Sequence, residues 1–167
     1  GIVDKKGIDI ASIFNVKSLA DVQADERVGA ADVLEVKCDV LIPAALGGVI
    51  NESNMNKINA DFIIEGANQP LSIAADRELR AQGVVIVPDI LANSGGVMGS
   101  YFEWTQNIQE FSWPIEKFRR ELDVRMEAAF GNVHKVSKQY SVDLRTAAFV
   151  VSVERVARAF EMRGSLV

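Results

Sequence analysis

Three turns carry the residues that can do chemistry. The first is Pro43-Ala44-Ala45-Leu46-Gly47-Gly48 and the second Glu65-Gly66-Ala67-Asn68-Gln69-Pro70. The third runs from Pro88-Asp89 to Asn93-Ser94-Gly95-Gly96. Each follows a short apolar run, at residues 38–42, 62–64 and 84–87. Small residues after a strand let another backbone or a ligand come close. A strand, a Gly-Gly turn and a helix start also leave backbone N–H groups free beyond the strand's carboxyl end, where α/β sheets bind ligands. Three such turns at corresponding strand ends can line one shared crevice.

The elements that must hold these turns are legible from pattern. The run at 84–87 is apolar throughout, as in a strand buried on both faces. After the third turn the period changes: Val97, Tyr101, Trp104 and Ile108 fall on one face of a helix. Residues 38–42 and 62–64 read as two further strands. Asp9 suits the cap of a helix carrying Ile10, Ile13 and Phe14, and Ser72 the cap of a helix over 73–81 that Gly83 stops. Residues 21–27 read as a loop, and 30–36 and 51–58 as short helices. From Trp113-Pro114 the chain is helical, with Ile115, Phe118, Leu122, Met126, Phe130, Val133 and Val136 recurring at three and four. Asp143 caps a last helix that Gly164 ends, and its segment 147–159, apolar on most sides, is expected to be buried. The alternation predicts an α/β fold with a mostly parallel, doubly wound sheet and helices on both faces, followed by long C-terminal helices.

Single residues add less. Ile2 and Val3 read as the end of a buried strand, with Asp4 after them. An acid there suits the ribose hydroxyls of a bound dinucleotide. By itself, however, Asp4 reads first as a turn residue before Lys5-Lys6-Gly7. Cys38, the single cysteine, heads an apolar strand and reads as a buried reduced thiol. His134 lies beside the helical stripe and suits a surface or packing role, and no Cys/His spacing suggests a metal site.

The 167 residues amount to about one domain, with the apolar and charged content of a globular protein. A net charge of −5 argues against nucleic acid or an anionic membrane as partner. No apolar run is long enough to span a membrane. No signal peptide is visible either, which points to the cytoplasm. The chain begins at Gly1 inside what reads as a strand, and so reads as a piece of a longer protein.

Four segments, CDVLIPAAL (38–46), IIEGANQP (63–70), VVIVPDILANSGGVMGSYFEW (84–104) and RTAAFVVSVERVARAF (145–160), resemble the C-terminal, nucleotide-binding part of the glutamate dehydrogenase family. This family includes dehydrogenases of leucine, phenylalanine and valine. The resemblance implies a partial Rossmann-like NAD(P)-binding domain over 1–112 and a helical segment packed on it over 113–167, with one of the three strands allowed to run antiparallel. It implies NAD or NADP as cofactor, glutamate and 2-oxoglutarate as small-molecule substrates, and a homo-oligomer. Residue by residue, Asp4 resembles the acid near the adenosine ribose, which favours NAD. Ala44 and Ala45 resemble the turn that lies along the cofactor. Asn68 resembles the asparagine that reaches the nicotinamide ribose, and Asn93 the one close to the nicotinamide. Ser100 resembles the serine that holds the substrate's distal carboxylate, and Val97 part of that pocket. Without the resemblance, Ser100 reads as an exposed helical serine.

There are departures. Gln69 stands where the family usually has Gly, Ser94 where it has Ala, and Met98-Gly99 where it has Thr-Val. The G-x-G-x-x-G turn, the first Rossmann strand and the N-terminal substrate domain, with the family's catalytic lysine and aspartate, have no counterpart here. The chain by itself is therefore expected to be inactive. Two other readings stay open: a non-catalytic domain kept for folding or subunit contacts, and a branched-chain or aromatic amino-acid dehydrogenase. Against the latter stands Ser100, a hydroxyl for which an apolar side-chain pocket has no use.

Overall fold

The structure is a computed structural model and describes residues 1–164; residues 165–167, the last three of the expected helical segment, lie outside the described residues. Three strands, β3 (Cys38–Leu41), β4 (Ala60–Ile64) and β5 (Val85–Val87), form a sheet in the order β3-β4-β5. All three run parallel, so the allowance for an antiparallel strand is corrected. Each crossover carries the chain back across the sheet before the next strand begins, and that geometry yields parallel neighbours. A separate two-stranded ribbon precedes this sheet: β1 (Ile2–Val3) pairs antiparallel with β2 (Glu26–Arg27). The stretch read as a loop over 21–27 thus contains a strand, and Ile2 and Val3 are half-buried rather than buried. A polar two-residue edge strand has no apolar alternation to announce it.

Register divides the sheet into two faces. Leu41, Ile63 and Ile86 stand side by side on one of them. Ile63 and Ile86 join Ile50, Ile58, Leu71, Ala75 and Leu79 in the main core, under helix α2 (Ile73–Ala81). Ser72 caps α2 through its hydroxyl on the Ala75 N–H, as its sequence position predicts. The opposite face carries the row Val40, Phe62, Val85, about half exposed. It is covered only toward the carboxyl end of β5, where Val87 packs with Leu91, Val133, Ala147 and Ala148.

Five short or long helices besides α2 complete the described chain. These are α1 (Ile10–Ile13), capped by Asp9, then α3 (Asp89–Ala92), α4 (Ser94–Gln109), α5 (Ile115–Tyr140) and α6 (Leu144–Arg163). Residues 32–35 and 55–57 form only 3₁₀ turns, shorter than the helices expected over 30–36 and 51–58. The Gly-Gly turn is also corrected. Gly95 and Gly96 lie in the first turn of α4, which follows α3 with Asn93 as the joint. The Asn93 N–H donates to the Asp89 carbonyl and the Gly96 N–H to the Asn93 carbonyl, so these amides are bound within the chain. Helical geometry here brings the small Gly95 against Leu122 and Met126 of α5.

The buried expectation for 147–159 holds only for Ala147 and Ala148. Phe149, Val153 and Val156 are more than half exposed, because beyond its first turns α6 packs against α5 on one side and nothing among the described residues covers the other. The stripe Val97, Tyr101, Trp104, Ile108 is likewise exposed, and α4 buries Phe102 instead, edge-on to Phe118 and beside Trp113. Cys38 is half-buried; burial, then the neighbouring Asp39 carboxylate, push its thiol up. His134 is exposed and stacks on Phe130.

Candidate functional site

The carboxyl ends of β3, β4 and β5 open into one place. The turn after β3 lies against the turn after β4 backbone to backbone. The Ala67 N–H donates to the Pro43 carbonyl, the Gly48 N–H to that of Gln69, and the Ile50 N–H to that of Pro70. A Cβ on Gly66 would stand 2.9 Å from the Cβ of Ala44, and one on Gly47 would stand 2.9 Å from the carbonyl oxygen of Asn68. Contacts that close force a shift for any larger residue, which is why glycine stands at both positions. The small residues thus serve this approach of two backbones first, and the space beside them second.

Beyond the two turns lies a crevice of about 550 Å³, lined by Ala45, Leu46, Gly47, Gly66, Ala67, Asn68, Asn93, Gly96, Val97 and Ser100. Five residues singled out from the sequence meet here: Ala45, Asn68, Asn93, Val97 and Ser100. Asn93 donates its side-chain amide to Asn68 Oδ1 at 2.7 Å, joining the β4 and β5 ends across the crevice. Ala44 packs against Gly66 at its edge. Ser100 is exposed, and its hydroxyl donates to the Gly96 carbonyl at 3.2 Å, a back-bond one helical turn up. Val97 is also exposed, one turn before Ser100. Asp4 does not line the crevice. It closes the β1 turn, its Oδ1 accepting from the Lys6 N–H and its carbonyl from the Gly7 N–H.

The crevice is uncharged, and the charges stand behind it. A second hollow, of about 930 Å³, shares Gly47, Asn68 and Asn93 with the first and has Asp76, Asp89 and Arg145 in its wall. Arg145 of α6 spreads its guanidinium over three carboxylates from three elements. Nη2 donates to Glu65 Oε1 at 2.7 Å, Nε to Asp76 Oδ1 at 3.1 Å and Nη1 to Asp89 Oδ1 at 3.3 Å. Arg80 bridges Asp76 and Asp143. Glu65 is wholly buried, and its other oxygen accepts from the Asp89 N–H at 2.7 Å. Burial works to lower the Arg145 guanidinium, but Glu65 and then Asp76 outweigh it and hold it above its ordinary value. Among the described residues no buried side-chain nitrogen or oxygen lacks a partner.

Sequence reasoning missed this cluster, whose members lie up to 80 residues apart. The available signal was an acid directly after an apolar strand, Glu65, together with an arginine beside Ala147-Ala148 at the start of an apolar helix. Such charges are buried only when paired.

As a cradle for a dinucleotide the crevice fits in three respects. Its floor is small residues, its polar groups are the neutral amides of Asn68 and Asn93, and a Cβ on Gly96 would meet nothing within 4 Å. The chemistry of a hydroxyl and an apolar side chain one helical turn apart, Ser100 and Val97, suits a ligand with a polar end on a short aliphatic stem.

The family model described as glutamate/leucine/phenylalanine/valine dehydrogenase matches residues 1–164. The glutamate dehydrogenase of Thermotoga maritima is 41% identical over 168 aligned positions, covering 98% of this chain and 40% of that protein. The hetero-hexameric glutamate dehydrogenase of Thermus thermophilus, in its leucine-bound form, superposes with a TM-score of 0.87 at 27% identity, covering 98% of this chain and 39% of that one. The glutamate dehydrogenase of Peptoniphilus asaccharolyticus gives 0.69 at 36% identity, over 74% of this chain and 31% of that one. The chain thus spans about two fifths of the length of the curated relative it matches.

Proposed function

Because the chain belongs to the glutamate/leucine/phenylalanine/valine dehydrogenase family, we propose that it supplies part of the NAD(P) bed and one wall of the substrate pocket in a glutamate dehydrogenase. The observation that carries this is the convergence of Ala45, Asn68, Asn93, Val97 and Ser100 on one crevice at the carboxyl ends of three parallel strands. Ala44 and Ala45 lie along the cofactor, and Asn68 and Asn93 orient its nicotinamide half. When bound, the nicotinamide takes up or returns the hydride of the substrate's Cα. Val97 meets the substrate's methylenes, and Ser100 turns its hydroxyl from the Gly96 carbonyl to the distal carboxylate. The back-bond it gives up, 3.2 Å long, is a weak one.

Asp4 favours NAD over NADP, since a carboxylate accepts from a 2′-hydroxyl and repels a 2′-phosphate. Residues 1–112 form the nucleotide-binding part and 113–167 the helices packed on it. The protein works as a cytoplasmic oligomer, a setting in which the lone thiol of Cys38 stays reduced. No side chain lining the crevice titrates near neutrality. The chain alone therefore has no group there to move the protons that amine oxidation releases, and we expect it to be inactive.

The experiment is Ser100→Ala in the full-length enzyme, with glutamate and norvaline as substrates. A hydroxyl donating to a carboxylate contributes roughly 1.5–3 kcal/mol. At about 1.4 kcal/mol per factor of ten, kcat/KM for glutamate should fall about tenfold to hundredfold. Norvaline lacks the distal carboxylate and should lose little. Equal losses on the two substrates would withdraw the assignment.

A further inference from the structure

The geometry points to Asp89, locked by Arg145, as the positioning residue that holds the Asn68–Asn93 pair in register from behind the crevice. The inference rests on the reading above that this pair meets the nicotinamide half of the cofactor.

Asp89 has hold of both asparagines. Its Oδ2 accepts from the Gln69 N–H at 2.8 Å. That N–H belongs to the planar peptide that begins at the Asn68 carbonyl, so the bond fixes the peptide plane from which the Asn68 side chain departs. Its own carbonyl accepts from the Asn93 N–H at 3.1 Å. One residue therefore sets both ends of the 2.7 Å bridge from Asn93 Nδ2 to Asn68 Oδ1. The hold is needed, because Gln69 sits at φ 46°, in the left-handed region that a side chain disfavours. A glycine would take that conformation freely. With glutamine there, the Asp89 bond has strain to hold against.

Asp89 is in turn fixed on three sides. Its N–H donates to the buried Glu65, its Oδ1 accepts from the Ile90 N–H, and Arg145 Nη1 reaches the same oxygen. Both carboxylate oxygens accept, so an amide in this place would set an N–H₂ against another donor. The guanidinium is required for the same reason of geometry. A lysine cannot serve Glu65, Asp76 and Asp89 from one rigid plane. Removing Arg145 altogether leaves Glu65 as an unpaired buried charge, which threatens the fold. The decisive variant is therefore Asp89→Asn, nearly the same shape with one acceptor lost.

Two readouts on the full-length enzyme test it. The first is hydrogen exchange at the Gln69 amide, which should speed up in Asp89→Asn while the α2 and β4 amides stay protected. The second is nucleotide affinity by fluorescence titration. NAD(P)H should bind about tenfold or more weakly, the loss expected when a hydrogen-bonding pair is misplaced. ADP, which lacks both the nicotinamide and its ribose, should bind as before. Arg145→Lys should move both readouts the same way, and stands in should Asp89→Asn fail to fold. Unchanged exchange at Gln69, or equal weakening of NAD(P)H and ADP, overturns the proposal. Failure of the unmodified enzyme to bind either nucleotide overturns the functional reading instead.

Discussion

A Cβ added to Gly96 meets no atom within 4 Å, although the residue lines the crevice in the first turn of α4. Stability and binding should therefore part company here. Gly96→Ala is expected to raise stability by up to about 1 kcal/mol, the helix preference of Ala over Gly, while weakening NAD(P)H binding in the full-length enzyme. Chemical denaturation and a nucleotide titration check the two halves, and unchanged affinity would place the ligand elsewhere. Gly66 is the opposite case, since its added methyl would collide with Ala44 and disturb the fold itself. The small size of these residues was legible, but what each one faces was not. Asn68, Asn93 and Ser100 could be singled out only through resemblance, because an asparagine in a turn and a serine on a helix are ordinary. Glu65, Asp89 and Arg145 stayed hidden because an ion pair between the end of β4 and α6 leaves no local periodicity.

At the scale of elements, caps were the best-read feature. Asp9, Ser72 and Asp143 each accept from an N–H two or three residues ahead, an interaction set wholly by neighbours in sequence. Asp143 carries a consequence for pH. Burial works to raise its carboxyl, but the Thr146 N–H and hydroxyl and the Arg80 guanidinium outweigh it, so it titrates below its ordinary 3.8. A carboxyl whose folded value is the lower one gives its full stabilisation above the unfolded value, and loses it as the pH falls through the folded value. Urea midpoints of wild type and Asp143→Asn should therefore converge as the pH drops from about 5 to about 3. Parallel acid limbs would count against the cap and the Arg80 pair. Covering, unlike capping, was not legible. The apolar stretch of α6 and the α4 stripe show in the sequence as apolar, yet apolarity alone does not say what lies opposite, and both are largely exposed. The parallel direction of the strands was legible from the alternation, and only the allowance for one antiparallel strand, taken from the resemblance, did not hold.

At the scale of the whole molecule, three apolar surfaces stand open among the described residues: the row Val40, Phe62, Val85 on one sheet face, the α4 stripe, and the outer side of α6. The crevice lies between the sheet's carboxyl edge and α4. No helix of the described chain is long and apolar enough to cross a membrane. The fold class was legible because alternating strands and helices leave one economical arrangement, and the family because rare residues recur in fixed order. The central claim is that one crevice holds both the cofactor and the substrate's distal end. Hydrogen exchange on the full-length enzyme, with and without NAD(P)H and 2-oxoglutarate together, tests it most directly. Protection is predicted over 43–48, 66–69 and 93–100, with the last stretch protected further when 2-oxoglutarate joins the nucleotide. Protection confined to other segments, under conditions where both ligands are bound, would contradict it.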